Sequence, residues 1–216
     1  CGQADAQEWL QRQQRRLLLP VPYFLVTFTL PEPLRAWVRS HPKLGYDLLF
    51  AASAQALQDL ARNPKYLGAQ LALLGVLHTW SRTIIFHPHI HYLVPGGGLS
   101  ADGRTWSHTG QKFFLPFKPL KRRFRTLFAE LLQKRAPELC AQIPSQVWQQ
   151  DWNINLRAVG SGEKALQYLA RYIFKTATAN RRLQLRPDVK VRWPYRQSKT
   201  GQGRHLDLEP HEFIRR

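Results

Sequence analysis

Apolar and polar positions change period several times along the 216-residue chain, and each change marks an element. Residues 5–19 have a mixed helical pattern that stops at Pro20. Residues 22–30 alternate instead: Phe24, Val26, Phe28 and Leu30 share one side, and Tyr23, Leu25, Thr27 and Thr29 the other. Successive side chains of a strand point to opposite faces, so large residues on both sides predict a central strand covered on both faces. Pro31 and Pro33 end it. Residues 46–62 (Leu48, Leu49, Ala52, Ala56, Leu57, Leu60) and 67–82 (Leu71, Leu74, Leu77, His78) space apolar positions by three and four, which predicts two helices separated by the breaker Asn63-Pro64.

A second strong strand is predicted over 83–94. It runs into Pro95-Gly96-Gly97-Gly98 and then Asp102-Gly103, so a hairpin returning through 104–109 follows. Residues 118–134 form a basic amphipathic helix, and 152–158 alternate again, with Trp152, Ile154 and Leu156 opposite Asn153, Asn155 and Arg157. Gly160-Ser161-Gly162 opens a helix from 163 to about 177, with Ser161 read as its N-cap. Short strands at 189–195 and 204–208 flank a turn-rich segment, and Pro210 starts a last helix. Strands interrupted by helices yet joined partly by hairpins predict an α+β fold, a central mostly antiparallel β-sheet flanked by α-helices.

Composition narrows the class. With 44% hydrophobic and 12% aromatic residues the chain can bury one sizeable core and is not a disordered segment. No run of 18 or more uncharged apolar residues occurs, so no membrane partner is expected. Two cysteines, Cys1 and Cys140, are too few for a disulfide framework, and a reducing cytoplasmic setting is the expectation. The chain contains no Met and begins at Cys1, which suggests an internal piece of a longer protein.

The net charge of +18 points to a polyanion, with nucleic acid ahead of anionic lipid because the cations are not gathered on one amphipathic helix but spread over two long stretches. Two stretches concentrate it: 112–135, including Lys121, Arg122 and Arg123, and 171–204, including Arg171, Lys175, Arg181 and Arg182. Phe113, Phe114, Phe117 and Phe124 are interleaved with the first, and Tyr172, Phe174, Trp193 and Tyr195 with the second. Cations alternating with rings suit a single strand, whose phosphates need neutralising and whose unpaired bases stack.

Two motifs carry candidate chemistry. His87-Pro88-His89-Ile90-His91 places three histidines at alternate positions of one strand, about 6.8 Å apart along it. Neighbouring imidazoles at that spacing can grip one cation, whereas three spread over about 13 Å cannot easily share it. His89 and His91 are the preferred pair, and His87 is left to touch phosphate or a metal-bound water. Tyr168 and Tyr172, at i and i+4, share a helical face flanked by Arg171 and Lys175. A phenol is a poor nucleophile at pH 7, but nearby cations favour the phenolate and a metal polarising the phosphate makes attack feasible.

Together with Pro22-Tyr23-Phe24, Thr27-Phe28-Thr29-Leu30-Pro31, Leu77-His78-Thr79-Trp80, Val94-Pro95-Gly96-Gly97-Gly98-Leu99 and Glu212-Phe213-Ile214-Arg215-Arg216, these motifs make nearly the whole chain resemble the two-tyrosine HUH transposases of rolling-circle insertion sequences. That is the insertion-sequence-ninety-one family, kin to Rep initiators and Helitrons. The resemblance implies an HUH endonuclease, in which His89 and His91 match the metal pair and Tyr168 and Tyr172 the nucleophiles. It further implies Mg²⁺ or Mn²⁺, single-stranded DNA at transposon ends, a 5′-phosphotyrosine intermediate, and a bacterial, nucleoid-associated location. Relatives carry an N-terminal cysteine-rich zinc module, of which Cys1 resembles the last cysteine. Residues 1–20 are then expected to be the helix following that absent module, and 21–216 the catalytic domain. The last helix is expected to continue beyond Arg216. The third metal ligand stays open among His78, His87 and Gln167, as does the order of the tyrosines. Two other classes compete: a noncatalytic single-strand binder and a water-using metal-dependent phosphodiesterase.

Overall fold

The structure, a computed structural model, describes residues 3–17, 20–110, 114–173, 183–197 and 200–216. Helix α1 (Gln3–Leu17) leads into β1 (Tyr23–Thr29), then helices α2 (Glu32–Ser40) and α3 (Pro42–Arg62). Strands β2 (Leu74–Trp80), β3 (Phe86–Pro95), β4 (Gly97–Leu99) and β5 (Trp106–His108) follow. Helices α4 (Phe117–Arg135), α5 (Pro137–Ala141) and α6 (Gln146–Gln149) precede β6 (Asn153–Ala158) and α7 (Glu163–Ile173). The chain closes with β7 (Gln184–Leu185), β8 (Val191–Arg196), β9 (Gly203–Leu208) and α8 (Pro210–Arg215).

The main sheet is antiparallel throughout, in the order β2-β3-β1-β6. As its alternation predicts, β1 lies inside the sheet with both faces covered. Phe24, Val26 and Phe28 face α3 and α4, where Phe28 meets Phe124 edge-on at 4.9 Å between ring centroids. Tyr23 and Leu25 face α7 with Val76, Leu93, Leu166 and Leu169. Removing each such large side chain from water stabilises the fold by roughly 1.5–3 kcal/mol, so this double-sided burial holds the sheet in register. The predicted hairpin is β4 paired with β5, and β7, β8 and β9 form a separate three-stranded sheet.

The segment predicted as a helix over 67–82 holds no helix, and its second half forms strand β2. Leu74, Val76 and His78 point to one face, and pairing with β3 outweighs the three-and-four spacing of the leucines. Gly75, poor in a helix, is required here: a Cβ would lie 2.7 Å from a ring carbon of Tyr92. Pro33 does not merely stop β1; it occupies the first turn of α2, where a missing N–H costs nothing. Helix α7 is capped at Gly162 rather than Ser161, since the Gly162 carbonyl accepts the Leu166 N–H at 2.8 Å. Gly162 has φ +79°, and a Cβ there would sit 2.8 Å from the Tyr23 ring. The predicted continuation of this helix to residue 177 lies outside the described residues.

Candidate functional site

Strand register assembles the histidines. On β3, His89 and His91 project from the same face, with ring centroids 4.9 Å apart. On β2, His78 is the direct cross-strand partner of His89, and its Nδ1 lies 3.0 Å from His89 Nε2. One ring nitrogen from each of His78, His89 and His91 lies within 4.8 Å of the others. Of the three third-ligand candidates, His78 is the one that strand pairing brings to this group. His87 stands beside His89, 5.2 Å between centroids, but is not one of the three. Gln167 is exposed on α7.

A backbone carbonyl sets the tautomer of His89, and a hydroxyl holds the ring of His91. His89 Nδ1 lies 2.6 Å from the His87 carbonyl, which can only accept, so Nδ1 carries the proton and Nε2 offers a lone pair. His91 Nδ1 lies 2.8 Å from Thr27 Oγ1. A proton on that nitrogen leaves His91 Nε2 as the ligand atom, and Nε2 is buried with no hydrogen-bond partner. Burial holds the imidazoles neutral: His78 falls to about 3, His91 to about 3 and His87 to about 4, and His89 is also lowered. Burial is the largest cause in each case; neighbouring histidines add to it for His78 and His91, and Arg35 then His89 for His87. Neutral imidazoles are the form that binds metal.

These features fit a divalent cation. In this structure His78 Nδ1 donates to His89 Nε2 at 3.0 Å, and two nitrogens each about 2.1 Å from one ion at a right angle would stand about as far apart once His78 carries its proton on Nε2 instead. The orphaned His91 Nε2 supplies a further donor. Thr27 positions this ring, and Thr27→Val, which matches its shape but lacks the hydroxyl, is expected to weaken Mn²⁺ binding by about 10–100-fold. Calorimetric titration checks this, and an unchanged affinity would remove Thr27 from the site.

Helix α7 packs over β2 and β3 and sets Tyr168 against the cluster, its ring edge-on to His91 at 5.8 Å between centroids. The backbone of Arg171 and Tyr172 continues α7, but their side chains lie outside the described residues, as do Lys175, Arg181 and Arg182 altogether. Lys121, Arg122 and Arg123 sit on α4, which covers the opposite face of the sheet, so they do not join the histidines. Lys121 pairs with Asp151 at 2.6 Å, Arg123 pairs with Asp59 at 2.6 Å, and Arg122 is exposed. Thr27 was read in the sequence only as a strand position. The alternation of residues 74–80 was the signal that could have placed His78 on a strand.

Among the described residues, no helix is long and apolar enough to cross a membrane. The chain is 35% identical over its whole length to the protein described as "Putative transposase y4qJ" of Sinorhizobium fredii, covering 58% of that protein. It is 30% identical over 85% of its length to the transposase for insertion sequence element IS801 of Pseudomonas savastanoi pv. phaseolicola, covering 46% of it. The chain thus spans about half the length of the curated relatives it matches. A solved structure of the conjugative relaxase TRWC in complex with oriT DNA, in a copper-bound form, aligns with 51% of this chain and 42% of its own at 19% identity and a TM-score of 0.37. Residues 73–216, from the start of β2 through the histidines and α7 to the last residue, match the profile of the family Y2_Tnp, described as "Putative transposase", and the chain belongs to that family.

Proposed function

We propose that this chain is the nicking and strand-transfer core of a DNA transposase that cleaves single-stranded DNA at the ends of its element through a tyrosine nucleophile. The observation that carries the reading is the placement of Tyr168 edge-on to His91 beside three buried, neutral histidines. His78, His89 and His91 would hold the metal, which supplies Lewis-acid polarisation of the phosphate when bound. Three imidazoles favour Mn²⁺ over Mg²⁺, whose preference is for carboxylate and water oxygens. Thr27 and the His87 carbonyl orient two of the rings. Tyr168 Oη attacks phosphorus, the bond from phosphorus to the 3′ oxygen breaks, and that oxygen leaves as a hydroxyl after taking up a proton. The phenolic proton passes to water, and the 5′ phosphate remains ester-linked to the tyrosine. Attack by a 3′-hydroxyl reverses the step and joins strands without ATP, because the phosphodiester energy is kept. Tyr172, on the same helix, serves as the second nucleophile, and Arg171, Lys175, Arg181 and Arg182 supply cations along the strand.

The test is incubation with a labelled single strand bearing an element end, in Mn²⁺, Mg²⁺ or EDTA, followed by denaturing electrophoresis. The expected result is a metal-dependent adduct that resists denaturation, stronger in Mn²⁺, and absent from the Tyr168→Phe, Tyr172→Phe double variant. Cleavage that persists in the double variant without any adduct would establish the water-using phosphodiesterase instead. Binding without cleavage under either metal would establish a noncatalytic binder.

A further inference from the structure

On the sheet face that carries the histidines, His78, His89, His91 and Thr29 are buried, whereas Asn153 and Asn155 of β6 are exposed. Helices α1 and α7 close over Tyr23, Leu25, Val76 and Leu93. Beyond the metal cluster the same face continues across β1 to the edge strand β6. Thr29 pairs with His89 on one flank and Asn153 on the other, and Thr27 pairs with His91 and Asn155. Directly opposed residues of antiparallel strands project to one face, and the contact between Thr27 and His91 identifies which face this is. Two rows therefore cross the sheet: His78, His89, Thr29, Asn153, and Val76, His91, Thr27, Asn155. Neighbouring strands lie about 4.8 Å apart, so each asparagine stands roughly 10 Å from the β3 histidine of its own row. That is the reach of a nucleotide or two of extended strand.

Asn153, Asn155 and Arg157 are all exposed, while Ile154 and Leu156 between them pack on the core. Water alone can satisfy an outward polar row on an edge strand. This row differs in its place, continuous with the candidate site, and in its chemistry. A carboxamide offers one acceptor and two donors, which match the edges of unpaired bases, and the row contains no carboxylate to repel phosphate. We propose that Asn153 and Asn155 form a base-reading subsite for the single-stranded nucleotides next to the scissile phosphate, with Arg157 neutralising a neighbouring phosphate. This subsite rests on the proposed passage of a single strand across the histidine face.

The test selects binders from a pool of randomised single-stranded oligonucleotides, using the whole 216-residue chain in EDTA so that cleavage plays no part. The wild-type chain is expected to enrich particular bases at a few consecutive positions. The double variant Asn153→Ala, Asn155→Ala is expected to lose that preference at one or two of them and to bind the selected sequence about tenfold more weakly. Asn153→Thr, Asn155→Thr keeps strand propensity and is expected to do the same. Arg157→Gln is expected to weaken binding to all sequences alike and to reduce the salt slope by about one. Enrichment unchanged in both asparagine variants, or absent from the wild type, overturns the subsite. Because adduct formation is scored in a separate assay, its failure alongside intact base selection would count against the nicking reaction and leave the subsite standing.

Discussion

His78→Ala is expected to lower Mn²⁺ affinity by about 100-fold or more and to reduce metal-dependent strand cleavage with it. The variant removes the nitrogen that faces His89 Nε2 at 3.0 Å and leaves a pair of imidazoles where there were three. It also empties space beside Trp80, whose ring meets that of His78 edge-on at 4.6 Å, so some stability is lost as well. His78→Gln retains more of the volume and separates the two effects: its melting temperature is expected to stay closer to wild type while metal affinity remains low. Calorimetric titration with Mn²⁺, paired with thermal melts in EDTA, reads both quantities. Wild-type affinity in both variants would return His78 to a packing role and reopen the choice of third ligand.

Tyr168→Phe is expected to suppress adduct formation by about a thousandfold or more while leaving metal binding and salt-sensitive DNA binding close to wild type. Phenylalanine keeps the ring that meets His91 edge-on, so the variant isolates the hydroxyl from the packing. Peptide mapping of the wild-type adduct is expected to place the nucleotide on the fragment containing Tyr168. An adduct of undiminished yield in the variant, mapped to Tyr172, would make Tyr172 the first nucleophile.

The contrast between β1 and β2 explains what could be read from sequence. β1 alternates large residues on both sides over its whole length, a pattern that a helix cannot bury in two separate layers, so its identity and its interior place in the sheet follow from local pattern. β2 contains leucines whose spacing also fits a helix, and pairing with β3 makes it a strand. The glycine at position 75 counts against a helix, but the reason for it, the Tyr92 ring packed against it, lies 17 residues further along the chain. The helix α2 was hidden by two prolines that end one element and begin the next.

The candidate site divides in the same way. His89 and His91 are legible because two residues of separation on one strand dictate a shared face. Tyr168 is legible as a helical residue, but its nearness to His91 depends on how α7 crosses β2 and β3. Thr27 could not be assigned to the site from spacing, and His78 stayed one of three candidates, since each meets the histidine pair through cross-strand register with a separate segment.

By itself the sequence determined the α+β class, the central strand, the histidine pair, the tyrosine helix and the cationic excess. Each depends on periodicity or composition within one segment. Tertiary structure decided the approach of His78 to the histidine pair, the tautomer of His89, the separation of the α4 cations from the histidine face and the exposed asparagine row beside it. These are consequences of register and layer, which arise only when distant strands pair and bury their faces together.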